Sequence, residues 1–227
     1  MLSPANNLMI KKLNSEKFER LLAHFQLICL EPGQLIFRPH ETIQFVFFPV
    51  SAIIAMQIDI SDGSSADIVL IGKEGMVGSG VMGGNQNFSR ARVRFPGFAY
   101  KLPLGVFQSE LAQDRAFLKI WMATTRQMIL QIAMPAVCSS KHSNEQQIIR
   151  WIMNTLDKTQ GQTLQITHQE IADTLGIRRE SVTLAAGKLA QERLIEVTRG
   201  QLQVLDRPKL EARACECYRV MHPATQH

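Results

Sequence analysis

Three charged residues stand side by side in the C-terminal part of the sequence: Arg178, Arg179 and Glu180. An arginine can donate two hydrogen bonds to O6 and N7 of guanine, and a glutamate can accept one from the amino group of cytosine. Side chains of these types read bases when they project from the first turns of a helix in the major groove. Thr183 is a further outward residue of the same predicted helix, so we expect these four residues to contact bases.

Two helices joined by a sharp turn are needed to position these side chains. Thr167 and Glu170 have the spacing of a capping box, which predicts the start of the first helix. Gly176 is suited to the turn because glycine tolerates a positive φ angle, and the second helix is predicted over residues 178–192. The inward faces consist of apolar residues at helical spacing: Ile171, Ala172, Leu175, Val182, Ala186 and Leu189.

A β-hairpin is predicted directly after the second helix. Its strands are the apolar runs that begin at Leu194 and Leu202, and its tip contains Arg199 and Gly200. A cation at such a tip can contact a DNA phosphate. We therefore interpret the segment from Thr167 to Leu205 as a winged helix-turn-helix with double-stranded DNA as its partner.

Residues 166–205 resemble the DNA-binding domain of the Crp/Fnr family, the bacterial transcription regulators named after the cyclic-AMP receptor protein and the fumarate-nitrate regulator. The shared residues are Glu170-Ile-Ala-Asp-x-Leu-Gly176, Arg179-Glu180-Ser181-Val182, Leu189 and Leu194-Ile195. The resemblance implies that Arg179 and Glu180 read bases. It also implies phosphate contacts by Thr167, His168, Gln169, Ser181 and Arg199.

Two positions depart from the family pattern. Arg178 stands where many members have a serine or threonine that caps the second helix, and Leu184 stands where several have a further base-contacting arginine. Loss of an N-cap typically costs about 1 kcal/mol unless it is compensated. We expect the DNA sequence that is recognised to differ from the best-known operator of the family.

Short apolar runs separated by turn residues fill the sequence from Leu27 to Leu102. This pattern predicts a small β-barrel or β-roll. The resemblance, weaker here, implies a cyclic-nucleotide-binding β-roll. Arginines alternate with apolar residues over Arg90–Phe95, which predicts a half-buried strand; its arginines could hold an anion, but a solvated sheet face is the favoured interpretation.

The residues that would hold cyclic AMP are missing at the corresponding positions. Family members that bind it use a carboxylate after a glycine for the ribose and an arginine for the cyclic phosphate. Here Ser79 follows Gly78, and Ser89 stands at the arginine position; Arg90 is one residue further on and is predicted to point to the other strand face. We expect no cyclic-AMP binding in the usual mode and keep these four residues as a candidate effector pocket.

A long helix is predicted between Phe107 and Met134, a stretch without glycine or proline, with its end near Pro135. Its apolar stripe is expected to form a coiled-coil-like homodimer seam, and packing on the β-domain of the same chain is the alternative. A further helix is predicted after Ser143. The residues of the stripe are Phe117, Trp121, Thr124 and Met128.

The four cysteines, Cys29, Cys138, Cys215 and Cys217, show no Cys-x-x-Cys pair and no spacing typical of zinc or iron–sulfur sites. No metal site and no cofactor is predicted, the effector is unknown, and haem ligation by Cys29, His24 or His40 stays open. The net charge of +5 is compatible with a polyanionic partner. No signal peptide, membrane span or catalytic motif is recognised, so a cytoplasmic protein that is not an enzyme is expected.

These observations predict an α+β chain with three parts. A β-roll sensor-like domain covers residues 1–103, connecting and dimerisation helices cover 104–138, and the winged helix-turn-helix domain covers 139–227. The predicted function is a homodimeric, sequence-specific transcription regulator, with RNA polymerase as a partner implied by the resemblance. The alternative is a small-molecule or anion-binding signalling module whose DNA-binding half is vestigial.

Overall fold

The computed structural model describes residues 2–61, 63, 65–78, 88–159 and 161–221. The helices are α1 (Ser15–Leu22), α2 (Leu104–Gln113), α3 (Arg115–Lys141), α4 (Asn144–Lys158), α5 (His168–Leu175), α6 (Arg179–Gln191), α7 (Arg207–Ala212) and α8 (Glu216–Met221). The strands are β1 (Gln26–Leu30), β2 (Leu35–Phe37), β3 (Phe45–Pro49), β4 (Ile53–Asp59), β5 (Ser65–Ile71), β6 (Arg90–Phe95), β7 (Gly97–Pro103), β8 (Thr163–Gln165), β9 (Ile195–Thr198) and β10 (Gln201–Val204). Two short 3₁₀ helices, Pro4–Asn6 and Ile10–Lys12, precede α1.

The chain divides into two compact units, Met1–Ile129 and Leu130–His227. We call them the β-unit and the helix-turn-helix unit. None of the helices in the described ranges has the length and apolar character that a membrane crossing demands. The boundaries expected at residues 103 and 138 stay predictions.

The β-unit contains two antiparallel sheets, with strand orders β1-β7-β3 and β2-β6-β4-β5. Its core is formed by apolar residues of both sheets, among them Val46, Phe48, Ile54 and Val93, and by Phe107 of α2. On β6 the apolar residues are buried and the arginines are only partly buried, as the alternating pattern predicts. The predicted α+β architecture with an N-terminal β-roll is confirmed.

The helix predicted as one element after Phe107 is two helices, which corrects the sequence interpretation. Asp114 separates α2 from α3 because its backbone is extended, with φ −126° and ψ 108°. Its carboxylate accepts hydrogen bonds from the amides of Ala116 and Phe117 at 2.6 and 3.1 Å, so Asp114 caps the start of α3. The predicted end near Pro135 is also wrong, since α3 continues through this proline to Lys141.

The helix-turn-helix unit begins with the last turns of α3 and with α4. Ser143 caps α4 through a reciprocal pairing with Gln146, which confirms the predicted helix start. One face of α4 is buried through Ile148, Ile149 and Ile152. The predicted hairpin is β9–β10, and β8 adds a third strand on the other side of β10, in the order β8-β10-β9.

Candidate nucleic-acid interface

The first helix of the predicted motif, α5, has the capping box that its sequence indicates. Thr167 Oγ1 accepts a hydrogen bond from the Glu170 amide at 3.2 Å, and Glu170 Oε2 accepts one from the Thr167 amide at 2.8 Å. At the other end Gly176 has φ +65°, and its amide bonds to the carbonyl of Ala172. Local chemistry therefore fixes both ends of α5 and the turn that leads to α6.

The first turn of α6 has no side-chain N-cap among the described residues. Arg178 occupies the cap position with φ −72° and ψ 142°, but its side chain accepts no hydrogen bond from the following amides. Arginine has only donors and cannot fill this role. The exposed end of α6 therefore combines amides without a side-chain acceptor, the positive end of the helix dipole and the exposed side chains of Arg178, Arg179 and Glu180. Such an end attracts the phosphate backbone of DNA.

His168 and Thr183 connect the starts of α5 and α6. Thr183 Oγ1 donates to the Arg179 carbonyl at 3.1 Å, and it lies 3.1 Å from His168 Nδ1. Because the Thr183 hydroxyl donates its proton to the Arg179 carbonyl, it can only accept a hydrogen bond from His168. The imidazole therefore donates from Nδ1. Burial, and then the charge of Arg179, lower the pKa of His168.

These contacts bear on two of the sequence predictions. The sequence predicts that Thr183 reads bases, but its hydroxyl is used to hold α6 against α5. His168 Nδ1 faces Thr183, and Nε2 is buried with no hydrogen-bond partner in the described ranges. The phosphate contact expected of His168 stays a prediction. Both residues therefore help to position the two helices, and the base contact expected of Thr183 stays a prediction.

The other predicted phosphate contacts lie in accessible or partly accessible positions. Gln169 is exposed and its amide donates to Asp173 at 2.7 Å, one turn later on α5. Ser181 is partly buried in the first turn of α6. Arg199 is exposed at the tip of the β9–β10 hairpin, where Gly200 takes a φ of +75°.

Leu184 is the most exposed large apolar side chain of the described chain, with 76% of its surface accessible. It lies on α6, one residue after Thr183. An isolated, exposed leucine is common on protein surfaces, but this one occupies the outward face that starts with Arg179 and Glu180. An apolar side chain there is suited to contact the methyl group of thymine.

An ion-pair network that the sequence analysis missed joins α6 to α4. Lys188 Nζ lies 2.9 Å from Glu145 Oε2, and Arg213 pairs with both Glu145 and Glu192. Glu145 is in the first turn of α4, so it links helices that are far apart in sequence. Only the three-dimensional fold brings these charges together, and no local spacing signals them.

The candidate effector pocket is only partly within the described residues, because Ser79 lies outside them. Ser89 is buried, and Gly78 has φ +102° beside Val46. Arg90 pairs with Asp59 at 2.9 Å. An anion at Arg90 would therefore have to compete with this carboxylate.

The predicted dimer stripe is turned largely toward the core of its own β-unit. Phe117 is fully buried and packs edge-on against Phe107 at 5.4 Å between ring centres. Trp121 and Met128 are partly buried against the same core, and the hydroxyl of Thr124 donates to the carbonyl of Ile120. Phe117 is buried and cannot meet a second chain, whereas Trp121, Thr124 and Met128 are partly exposed, so a seam through these three residues stays a prediction.

Residues able to hold a metal ion also converge in the helix-turn-helix unit, although the sequence predicts no metal site. They are Cys138, His142, Cys215 and Cys217. The available sequence signals were a Cys-x-x-x-His spacing, which puts two ligands one helical turn apart, and a Cys-x-Cys pair.

Comparison with known proteins adds independent information. No curated protein matches the sequence. A family model described as the Crp-like helix-turn-helix domain matches residues 146–213. This part of the chain is a Crp-like helix-turn-helix domain. The match spans α5, α6 and the β9–β10 hairpin, the elements predicted to meet DNA.

Solved structures share the fold of nearly the whole chain. FixK2 from Bradyrhizobium japonicum is 13% identical, with a TM-score of 0.69, and the match covers 84% of this chain and 98% of that one. A CRP/FNR family transcriptional regulator from Thermus thermophilus is 19% identical, with a TM-score of 0.65 and coverage of 83% and 98%. The c-di-GMP responsive global regulator CLP from Xanthomonas campestris is 18% identical, with a TM-score of 0.63 and coverage of 84% and 99%.

The family model and the shared fold agree with each other. The chain joins a Crp-like DNA-binding domain to the overall fold of the Crp/Fnr transcription regulators. The Crp/Fnr resemblance predicted from the sequence is confirmed.

Proposed function

We propose that the protein is a homodimeric regulator that recognises a specific DNA sequence through α6. The observation that carries this proposal is the end of α6, where Arg178, Arg179 and Glu180 are exposed around a first turn without a side-chain cap among the described residues. The capping box of α5 and the link between His168 and Thr183 support the start of α6, and the ion pairs to α4 hold its last turn.

A selection of duplexes from a random library tests the proposal. Two-fold related copies of α6 should enrich a palindromic sequence with half-sites about 10–10.5 base pairs apart. On the selected duplex, Arg179→Ala should cost about 1–3 kcal/mol of binding free energy and relax the preference at one base pair. Enrichment of no sequence by the unmodified chain would contradict the proposal.

Arg38→Ala is the matched control for this substitution. Arg38 is exposed in the β-unit and carries the same charge, so its removal changes the net charge of the chain equally. It should leave the preferred sequence and the affinity nearly unchanged. Equal losses for the two variants would show that net charge, and not base reading, explains the effect of Arg179.

The homodimer seam that we propose lies on the exposed side of α3. Met122 and Ile129 are 57% and 58% exposed, and Ile132 is 39% exposed. Met122, Thr125, Ile129 and Ile132 follow one another at steps of three, four and three residues, the spacing of coiled-coil seams. A second copy of the chain is the partner that would cover this stripe over residues 122–132.

Ile129→Asp should therefore convert the dimer into a monomer in sedimentation experiments, since a carboxylate would be buried at the seam. Ala123→Asp is its control, because this exposed residue follows Met122 and is turned by about 100° around the helix. A monomeric unmodified chain, or equal behaviour of the two variants, would contradict the seam.

The effector is proposed to be something other than cyclic AMP. Ser89 is buried, and Arg90 already has Asp59 as its partner, so the usual anchor for a cyclic phosphate is absent among the described residues. Calorimetry with cyclic AMP should show no binding at micromolar concentrations. The proposal also includes a cytoplasmic location, contact with RNA polymerase and no enzymatic activity, in line with the family.

A further inference from the structure

Three cysteines and one histidine, distant in sequence, meet inside the helix-turn-helix unit. Cys138 is in the last turn of α3 and His142 follows its end, while Cys215 and Cys217 lie at the start of α8. Their potential ligand atoms all lie within 4.8 Å of one another. The three thiols are buried and His142 is partly buried. This constellation is independent of the proposed DNA-reading residues.

Two of the separations agree with the edges of a tetrahedron around one small ion, and all of them lie within 4.8 Å. Bond lengths of about 2.3 Å for Zn–S and 2.0–2.1 Å for Zn–N give tetrahedral edges of about 3.8 Å between sulfurs and about 3.6 Å between sulfur and nitrogen. Cys138 Sγ lies 3.7 Å from Cys215 Sγ. Cys217 Sγ lies 3.6 Å from His142 Nδ1.

One bound ion explains this geometry better than a disulfide, an iron–sulfur cluster or simple core packing. A disulfide needs sulfurs about 2.05 Å apart, and these cysteines are free thiols. In an iron–sulfur cluster the four ligands are divided among two or four iron atoms, which requires wider spacing of the whole set than one shared ion. Cysteine can fill a core as a small apolar side chain, and a thiol can hydrogen-bond His142 Nδ1, but neither role requires two more thiols within 4.8 Å of that nitrogen.

The surroundings also have the features of a metal site. His142 Nε2 lies 3.2 Å from Glu216 Oε1, the carboxylate–histidine arrangement that orients an imidazole toward a metal. This contact leaves Nδ1 for the ion. The buried side chain of Arg150 lies close enough to Cys138 for its charge to act on the thiol. Three thiolates around a divalent ion carry one net negative charge, which this guanidinium offsets.

We propose that Cys138, His142, Cys215 and Cys217 bind one Zn²⁺ in a closed tetrahedral site that fastens α8 to the end of α3. Four protein ligands leave no position for water or substrate, so the role is structural. The ion would close a long loop that contains α4, α5, α6 and the hairpin. Zinc binding would therefore stabilise the folded helix-turn-helix unit.

Metal analysis of the full chain, purified without a metal-affinity step, tests the proposal directly. About one zinc ion per chain is expected. The double variant Cys138→Ser, Cys217→Ser should lose nearly all of it. Cys29→Ser is the control, because this exposed thiol belongs to the β-unit and should leave the zinc content unchanged.

Cobalt substitution of the unmodified chain examines the ligands without any mutation. Tetrahedral thiolate ligation should produce intense ligand-field and sulfur-to-cobalt charge-transfer bands. Glu216→Gln, which keeps all four ligands, should weaken zinc binding by about 10–100-fold in a chelator competition. Removal of zinc by a chelator should lower the unfolding temperature of the unmodified chain, and added zinc should restore it.

Several results would overturn the site. One is a chain without zinc that also takes up none from an equimolar zinc solution under reducing conditions. Retention of zinc by the double variant would place the ion elsewhere, and iron at equal stoichiometry would refute the choice of zinc. All these measurements are made without DNA, so their failure is distinguishable from a failure of the proposed regulatory function.

Discussion

Arg178 stands at the N-cap of α6, and one substitution there should raise the stability of the chain while it lowers the affinity for DNA. Its backbone already has the extended geometry of an N-cap, but no described side chain caps the helix. Arg178→Ser would add a hydroxyl acceptor for an amide of the first turn and should raise the free energy of unfolding by about 1 kcal/mol. For a domain of this size that is about 4–8 °C in unfolding temperature.

The same substitution should weaken DNA binding because it removes a cation beside the phosphate backbone. The slope of the logarithm of affinity against the logarithm of salt concentration should fall by about one. Arg178→Ala is the matched control, since it removes the same cation without adding an acceptor. Both variants should therefore lose the same affinity, and only the serine variant should gain stability.

Calorimetric unfolding and fluorescence anisotropy with duplex DNA at several salt concentrations provide the two measurements. Equal unfolding temperatures for the serine and alanine variants would show that a serine hydroxyl adds no useful acceptor for the amides in the first turn of α6. An unchanged salt slope in both variants would show that Arg178 does not lie at the DNA. Either result would refute the reasoning about this helix end.

Two further predictions concern the same unit. Gly176→Ala should destabilise the chain by about 1 kcal/mol, because the φ angle of this residue is +65°. Gly187→Ala should stabilise the chain by about the same amount, because this residue lies within α6. Calorimetry in which both substitutions change stability in the same direction would contradict this reasoning. The pKa of His168 is lowered from 6.5, so the unfolded chain binds more protons than the folded one just below this pH. The free energy of unfolding should therefore fall as pH drops from about 6.5 toward the lowered pKa. His168→Asn should make the free energy of unfolding, measured by denaturant titration, depend less steeply on pH. An unchanged pH dependence would refute the assignment to His168.

Features that depend on neighbouring residues could be predicted from the sequence. The capping box at Thr167 and Glu170, the left-handed Gly176 and the alternating strand Arg90–Phe95 each follow from local backbone and burial rules. The structure has all three. The Crp-like domain was recognisable for the same reason, because its signature lies within one short segment.

Features that depend on long-range contacts could not be predicted in this way. Helical periodicity marks an apolar face on α3, but it does not say whether Phe117 meets a second chain or its own β-unit. The buried position of Phe117 is decided by Phe107 and the sheets. Likewise, Cys138 and Cys215 become neighbours only because α3 and α8 are brought together by the fold.

The most direct test of the central claim compares two duplexes at one salt concentration. The first contains the sequence selected by the full chain, and the second contains the same bases in scrambled order. Specific recognition by α6 predicts tighter binding to the first duplex by a factor of about 10³ or more. Equal affinities for the two duplexes would contradict the account, because binding would then depend on the phosphate backbone alone.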